Sequence, residues 1–147
     1  MDSPKQTRVA VIGARGIGKH HAKWWAIEGA EVCAIVGTSA ASVAATADAL
    51  RALFPFQGKL YTDVETMLTA EAPHTVDVCS PPGYHLAHAK SALDAGCAVL
   101  CEKPLLFTPG TPTAALLGQA RELADLAGRR QLRFGLCAQY HVAGTIC

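Results

Sequence analysis

"VAVIGARGIGKHHA", residues 9–22, passes from an apolar run into a helical stretch through three closely spaced glycines. Valine, alanine and isoleucine closed off by glycine read as a buried strand. The residues after the turn read as a helix, so the stretch is a strand–turn–helix unit. A dinucleotide-binding turn of the form G-x-G-x-x-G needs glycine at 13, 15 and 18. Gly13 and Gly18 are present, but Arg15 stands at the middle position. The middle glycine normally lets the backbone approach a pyrophosphate, and here Gly16 offers that approach one residue later. Ile17 and Gly18 open a helix whose first N–H groups can meet phosphate. Alone, this loop is weak evidence, because a tight ligand-free turn reads the same way. Its place as the first turn of an alternating chain favours a bound nucleotide.

The alternation runs through the rest of the sequence. Further strands are expected at 31–37, 59–62, 75–80, 98–101 and 132–137, after the first at 8–13. Helices are expected near 17–28, 40–53, 63–71, 84–95 and 112–127. Gly29, Gly96 and Gly128 suit the left-handed position after a helix, and Thr111-Pro112 suits an N-cap followed by proline at the first helical position. Strands that are near-continuous apolar runs, alternating with helices, describe a parallel sheet covered on both faces. The expected fold is therefore α/β: one doubly wound, six-stranded parallel domain.

Composition narrows the function. The chain has 147 residues, of which half are hydrophobic and 17% charged, with a formal net charge of +1. That balance gives no electrostatic footprint for nucleic acid or an anionic membrane, and no long apolar span appears. The six cysteines include no C-x-x-C pair, and no histidine stands near Cys97 and Cys101 at zinc-ligand spacing. Cys33, Cys79, Cys101 and Cys137 sit in apolar runs as small hydrophobes. The sequence thus predicts a reduced, cytoplasmic protein without a metal site, and a homo-oligomer is left open.

The end of the second strand bears on the choice of nucleotide. NAD binders place an acidic residue there for the ribose hydroxyls. Here Gly37 stands in its place, followed by Thr38, Ser39 and Ser42. No negative charge opposes a 2′-phosphate, hydroxyl and backbone donors are available, and Arg15 can supply a cation. NADP(H) is favoured over NAD(H). A serine N-cap on the second helix is compatible with the same residues.

The stretch "CSPPGYHLAHAKSALDAGCAVLCEKPLLF", residues 79–107, carries the rest. Ser80, Pro81 and Pro82 follow the fourth strand with rigid backbone. His85 and His88 are neighbours on one helix face, but without a third ligand they read as surface or capping residues, as do His20 and His21. Glu102, Lys103 and Pro104 close the fifth strand, where a parallel sheet presents its ligand crevice. "SPPGYH", "ALDAG" and "CEKPL" together resemble the signature of the glucose–fructose oxidoreductase and inositol dehydrogenase (Gfo/Idh/MocA) family. In that family a T-P-x-x-x-H segment leads into E-K-P one helix later. Ser80 replaces the threonine, while Pro81, His85, Glu102, Lys103 and Pro104 match, and His21 falls where many members have histidine.

The resemblance implies an NAD(P)-binding Rossmann domain over 1–140, with 141–147 beginning a crossover to a second domain. It implies hydride transfer between nicotinamide and a polyol, sugar or related carbonyl compound. Lys103 would be the catalytic residue beside the nicotinamide, partly buried, and the Lys103–Pro104 peptide is often cis in the family. Glu102 would orient its neighbours, and Gln139 and Tyr140 would border the nicotinamide. The cofactor-binding set is then Gly13, Arg15, Gly16, Ile17, Gly18, Gly37, Thr38, Ser39, Ser80, Pro81, Pro82, His85, Glu102 and Lys103. Two rival readings are a non-catalytic dinucleotide-binding module and a methyltransferase. The second leaves "CEKP" unexplained.

Overall fold

The computed structural model describes residues 6–138. Gln139, Tyr140 and the expected crossover at 141–147 lie outside them. In chain order the elements are β1 (Arg8–Ile12), α1 (Gly18–Ile27), β2 (Glu31–Val36), α2 (Ala40–Arg51), β3 (Lys59–Tyr61) and α3 (Val64–Glu71). There follow β4 (Thr75–Val78), a single 3-10 turn (Pro82–Tyr84), α4 (His85–Asp94), β5 (Ala98–Glu102), α5 (Thr113–Arg129) and β6 (Phe134–Cys137). The six strands form one sheet in the order β3-β2-β1-β4-β5-β6, and every neighbouring pair is parallel. The winding reverses between β1 and β4. At such a switch point the loops at the carboxyl ends of the two strands diverge and leave a crevice.

Alternation along the strands divides the core between two faces. Val9, Val11, Val32 and Ile35 pack with Ala22 of α1 and Val43, Ala47 and Leu50 of α2. Ala10, Ile12, Val76, Val78, Val99 and Cys101 face the other way, against Met67 and Leu68 of α3, Leu93 of α4 and Leu123 of α5. Small residues (Ala22, Ala47, Ala89, Ala92) lie fully buried where helices meet the sheet closely. No described helix is long and apolar enough to cross a membrane.

The helix ends follow the expected chemistry, with two corrections. Gly29 and Gly96 take left-handed φ values of +86° and +84°. In each case the next residue bonds back across the final turn, Ala30 N–H to Trp25 O and Cys97 N–H to Ala92 O, both at 2.9 Å. This is the Schellman arrangement. Gly128 does not play that part: α5 runs on to Arg129, and Gln131 adopts the left-handed φ of +56°. Leu132 N–H then bonds Ala127 O at 2.9 Å, and Leu132 packs against the core. An apolar residue at the closing position has outweighed glycine's conformational advantage. At the other end, Thr111 is not the N-cap. Pro112 is extended at ψ 143° and is itself the cap residue, its carbonyl accepting from Ala115 and Leu116.

Candidate functional site

The glycine turn after β1 is shaped by what it touches. Gly13 has φ +85°, and a Cβ there would lie 2.7 Å from both Cys79 O and Ser80 N. Glycine therefore lets the turn seat directly on the chain leaving β4. A Cβ on Gly18 would lie 2.6 Å from Gly13 O and 2.9 Å from Cys79 Cβ, so α1 begins in close contact with the same place. Among the described residues, in contrast, a Cβ on Gly16 would meet nothing within 4 Å. Its backbone borders open space, as an approach surface for a ligand would.

That space is a pocket of about 530 Å³ whose rim includes Gly13, Arg15, Gly16, Gly37, Thr38, Ser42, Ser80 and Pro81, over a floor of Ile35, Val36 and Val43. A further pocket of about 290 Å³ continues past Thr62, Val64, Tyr84 and His88. Among the described residues, no carboxylate lines either one. Ser39 caps α2 by accepting from Ser42 N–H at 3.2 Å. Gly37 is also packed, since a Cβ there would lie 3.1 Å from Val43 Cβ. Ile17 is the exposed N-cap residue of α1, and no side chain caps that helix. Lys19 and His20 N–H turn back to Gly16 O and Ile17 O at 3.3 and 2.9 Å, so what this helix start offers an anion is chiefly its dipole.

The loop after β4 is held by histidines, and their placement corrects the expectation of surface or capping residues. His85 is 1% exposed; its Nε2 lies 2.7 Å from Ser80 O and its Nδ1 2.9 Å from Pro104 O. It sits beneath the crevice and fixes the backbone of two loops. His88 Nδ1 lies 2.9 Å from Ser80 Oγ, and Tyr84 stacks on the His88 ring at 5.8 Å between centroids. Burial, and then neighbouring His85, hold His88 below the usual histidine range. Pro82 opens the 3-10 turn that carries this loop into α4.

Lys103 follows β5 at the same carboxyl edge, exposed rather than partly buried, and the Lys103–Pro104 peptide is cis. Lys103 N–H donates to Glu102 Oε2 at 3.2 Å. The other carboxylate oxygen of Glu102 turns under α1 and meets His21 Nε2 at 3.2 Å. Glu102 thus steadies the main chain at Lys103 from behind.

His21 is likewise no surface residue. Its Nδ1 lies 3.0 Å from Oδ2 of Asp77, which is 0% exposed in mid-strand, and Trp25 Nε1–H donates to the same oxygen at 2.7 Å. The hydrogen bond to Asp77 raises the His21 pKa despite the opposing effect of burial. Asp77 and Trp25 were missed in the sequence reading. Their signal was an aspartate inside the apolar run "TVDVC", where a carboxylate needs a partner.

Fold and crevice together define a dinucleotide-binding α/β domain. A sequence model of the oxidoreductase family GFO_IDH_MocA, described as an NAD-binding Rossmann fold, matches residues 7–136. The chain belongs to this Gfo/Idh/MocA family. It is 35% identical over 136 residues to D-glucoside 3-dehydrogenase of Escherichia coli, covering 91% of this chain and 34% of that protein. It is 30% identical over 123 residues to inositol 2-dehydrogenase of Corynebacterium glutamicum, covering 82% and 34%. The chain spans about a third of the length of these relatives. Scyllo-inositol dehydrogenase of Lactobacillus casei, solved with NAD(H) and scyllo-inositol, superposes with a TM-score of 0.75 at 22% identity, covering 97% of this chain and 41% of that one. That likeness is one of fold.

Proposed function

We propose that this domain binds NADP(H) in preference to NAD(H) and serves hydride transfer to or from a polyol, sugar or related carbonyl compound. The observation that supports it most is a shared edge. The glycine turn after β1, Thr38 after β2, Ser80 after β4 and Lys103 after β5 all leave the sheet at its carboxyl end, on both sides of the switch point. The open flank of Gly16 and the positive dipole end of α1, which no side chain caps, fit a pyrophosphate. Arg15, Thr38 and Ser42 on the rim of one pocket fit an additional phosphate on the ribose.

When bound, the nicotinamide accepts or supplies the hydride. Lys103 donates a hydrogen bond to the reacting oxygen of the substrate, stabilising negative charge that develops there, and holds the proton that accompanies the change. Glu102 fixes the Lys103 backbone, and His85 fixes the loops on either side. The five described cysteines are free, which fits action in the reducing cytoplasm. Calorimetric titration of the chain with NADPH and NADH tests the nucleotide half of this reading. Saturable binding of both, tighter for NADPH, is expected, and no binding at about 1 mM nucleotide, weaker than roughly −4 kcal/mol, would overturn it.

A further inference from the structure

On the sheet face under α1, outside the linings of the two crevice pockets, three donor atoms of different kinds converge. They are His21 Nε2 from the first turn of α1, a Glu102 carboxylate oxygen from the end of β5, and Cys137 Sγ from the end of β6. All lie within 4.8 Å of one another. His21 Nε2 is 3.2 Å from Glu102 Oε1 and 4.0 Å from Cys137 Sγ. Zinc takes nitrogen and oxygen at about 2.0 Å and thiolate sulfur at about 2.3 Å, so a tetrahedral site has ligand-to-ligand edges of roughly 3.3–3.6 Å. The His21–Glu102 spacing is that of such an edge, and the thiol stands within about an ångström of one from His21.

We infer that His21, Glu102 and Cys137 form a binding site for one divalent transition-metal ion, of which zinc is the best match. Two independent features go beyond the three donors. The first is the other ring nitrogen: His21 Nδ1 is held at 3.0 Å by fully buried Asp77, itself braced by Trp25. A carboxylate on the far nitrogen of a metal-binding histidine fixes the ring orientation and raises its basicity. The second is access: His21 and Cys137 line a pocket of about 320 Å³ together with Trp24, Trp25 and Leu100. That leaves room for water in a fourth position. A nitrogen, an oxygen and a sulfur donor suit zinc and disfavour magnesium or calcium, which prefer all-oxygen sites. Binding replaces the Cys137 S–H bond by a metal–sulfur bond and seats the ion on the His21 Nε2 lone pair that faces Glu102; the thiol proton, and the Nε2 proton when the ring is charged, are released to solvent. The ion clamps the start of α1 to the ends of β5 and β6, directly behind Lys103.

The sequence reading expects no metal because the three ligands are scattered over three elements and follow no local spacing. The inference is independent of the nucleotide assignment. Cobalt(II) is the probe: the chelator-treated chain is titrated with Co²⁺ and read by absorbance, then back-titrated with Zn²⁺. One cobalt per chain is expected, with a sulfur-to-cobalt charge-transfer band that zinc abolishes. Cys137→Ser should remove the band while the protein keeps its circular dichroism and thermal transition. Glu102→Gln should weaken binding at least about tenfold, and His20→Asn, at an exposed neighbour, should leave binding unchanged. No cobalt binding at about 100 μM ion, far above the range of structural zinc sites, overturns the inference. A charge-transfer band that survives in Cys137→Ser overturns it equally, because the thiolate is then another one.

Discussion

His85 Nδ1 lies 2.9 Å from the carbonyl oxygen of Pro104, so the first residue of α4 holds the turn that follows β5. Its other nitrogen reaches back to Ser80 O. One buried ring thus joins the two loops on the nicotinamide side of the proposed site. Replacing His85 by alanine strands the carbonyl that its ring N–H serves and leaves a void where the ring held both loops. Each buried unpaired polar group costs about 1–3 kcal/mol, so a loss of roughly 2–4 kcal/mol in denaturant unfolding is expected. Nucleotide affinity should fall with it, because the Ser80 loop loses its anchor. A loss below about 0.5 kcal/mol, ordinary for a surface substitution, would show that the ring does not hold these loops.

On the proposed function, Lys103→Met should leave nucleotide affinity nearly intact and abolish hydride transfer. The ammonium is exposed at the carboxyl edge of β5, and in the proposed role it acts on charge that appears only in the transition state. Calorimetry and turnover measured on the same variant separate the two effects. A turnover rate within about tenfold of wild type, roughly 1.4 kcal/mol of barrier, would return Lys103 to a solvated charge at a strand end.

The architecture was legible because parallel strands buried on both faces write themselves as continuous apolar runs. All six strands and five helices stand where the sequence placed them, within a few residues at each end. The glycine turn was legible for the same local reason. What sequence alone did not show was pairing across the sheet. His21, Asp77, Trp25 and Glu102 meet through the β1–β4–β5 neighbourhood, and nothing in their spacing along the chain announces it. From the residues alone His85 reads as a surface or capping histidine, because helix spacing reports which residues share a face, not whether that face is covered.

Acid should destabilise the domain through Glu71. This carboxylate is 5% exposed; it accepts from Tyr61 O–H at 2.6 Å and pairs with Lys59 at 2.9 Å and Arg8 at 2.9 Å. The hydrogen bond from Tyr61, followed by that from Lys59, holds its pKa below the usual carboxylate range. A group depressed in the folded state stabilises fully above its unfolded pKa, about 4.3 for glutamate. That contribution is lost as pH falls from there through the lower folded value. Urea unfolding at a series of pH values should therefore show stability declining below about pH 5. Glu71→Gln should flatten this limb and cost about 1–3 kcal/mol near neutrality. An unchanged acid limb in Glu71→Gln would place the titrating group elsewhere.

The NADPH preference should lie at the end of β2. Thr38 and Ser42 line the same pocket as Arg15, and no described carboxylate shares it. A charge-assisted hydrogen bond contributes about 1.5–3 kcal/mol, so NADPH should bind roughly ten- to a hundredfold more tightly than NADH. Arg15→Ala should weaken NADPH far more than NADH, because the second nucleotide carries no 2′-phosphate for the guanidinium to meet. Introducing a carboxylate should reverse the preference by repelling phosphate and accepting from the ribose hydroxyls. Gly37→Asp is the substitution the sequence suggests, but its Cβ would press on Val43 Cβ at 3.1 Å, which mixes packing strain with charge. Thr38→Asp places the same charge one residue on, at an exposed position, and is the cleaner variant. The ratio of the two dissociation constants in wild type, Arg15→Ala and Thr38→Asp decides the matter. A wild-type ratio that favours NADH means that the glycine turn holds the nucleotide with its ribose away from Arg15 and Thr38.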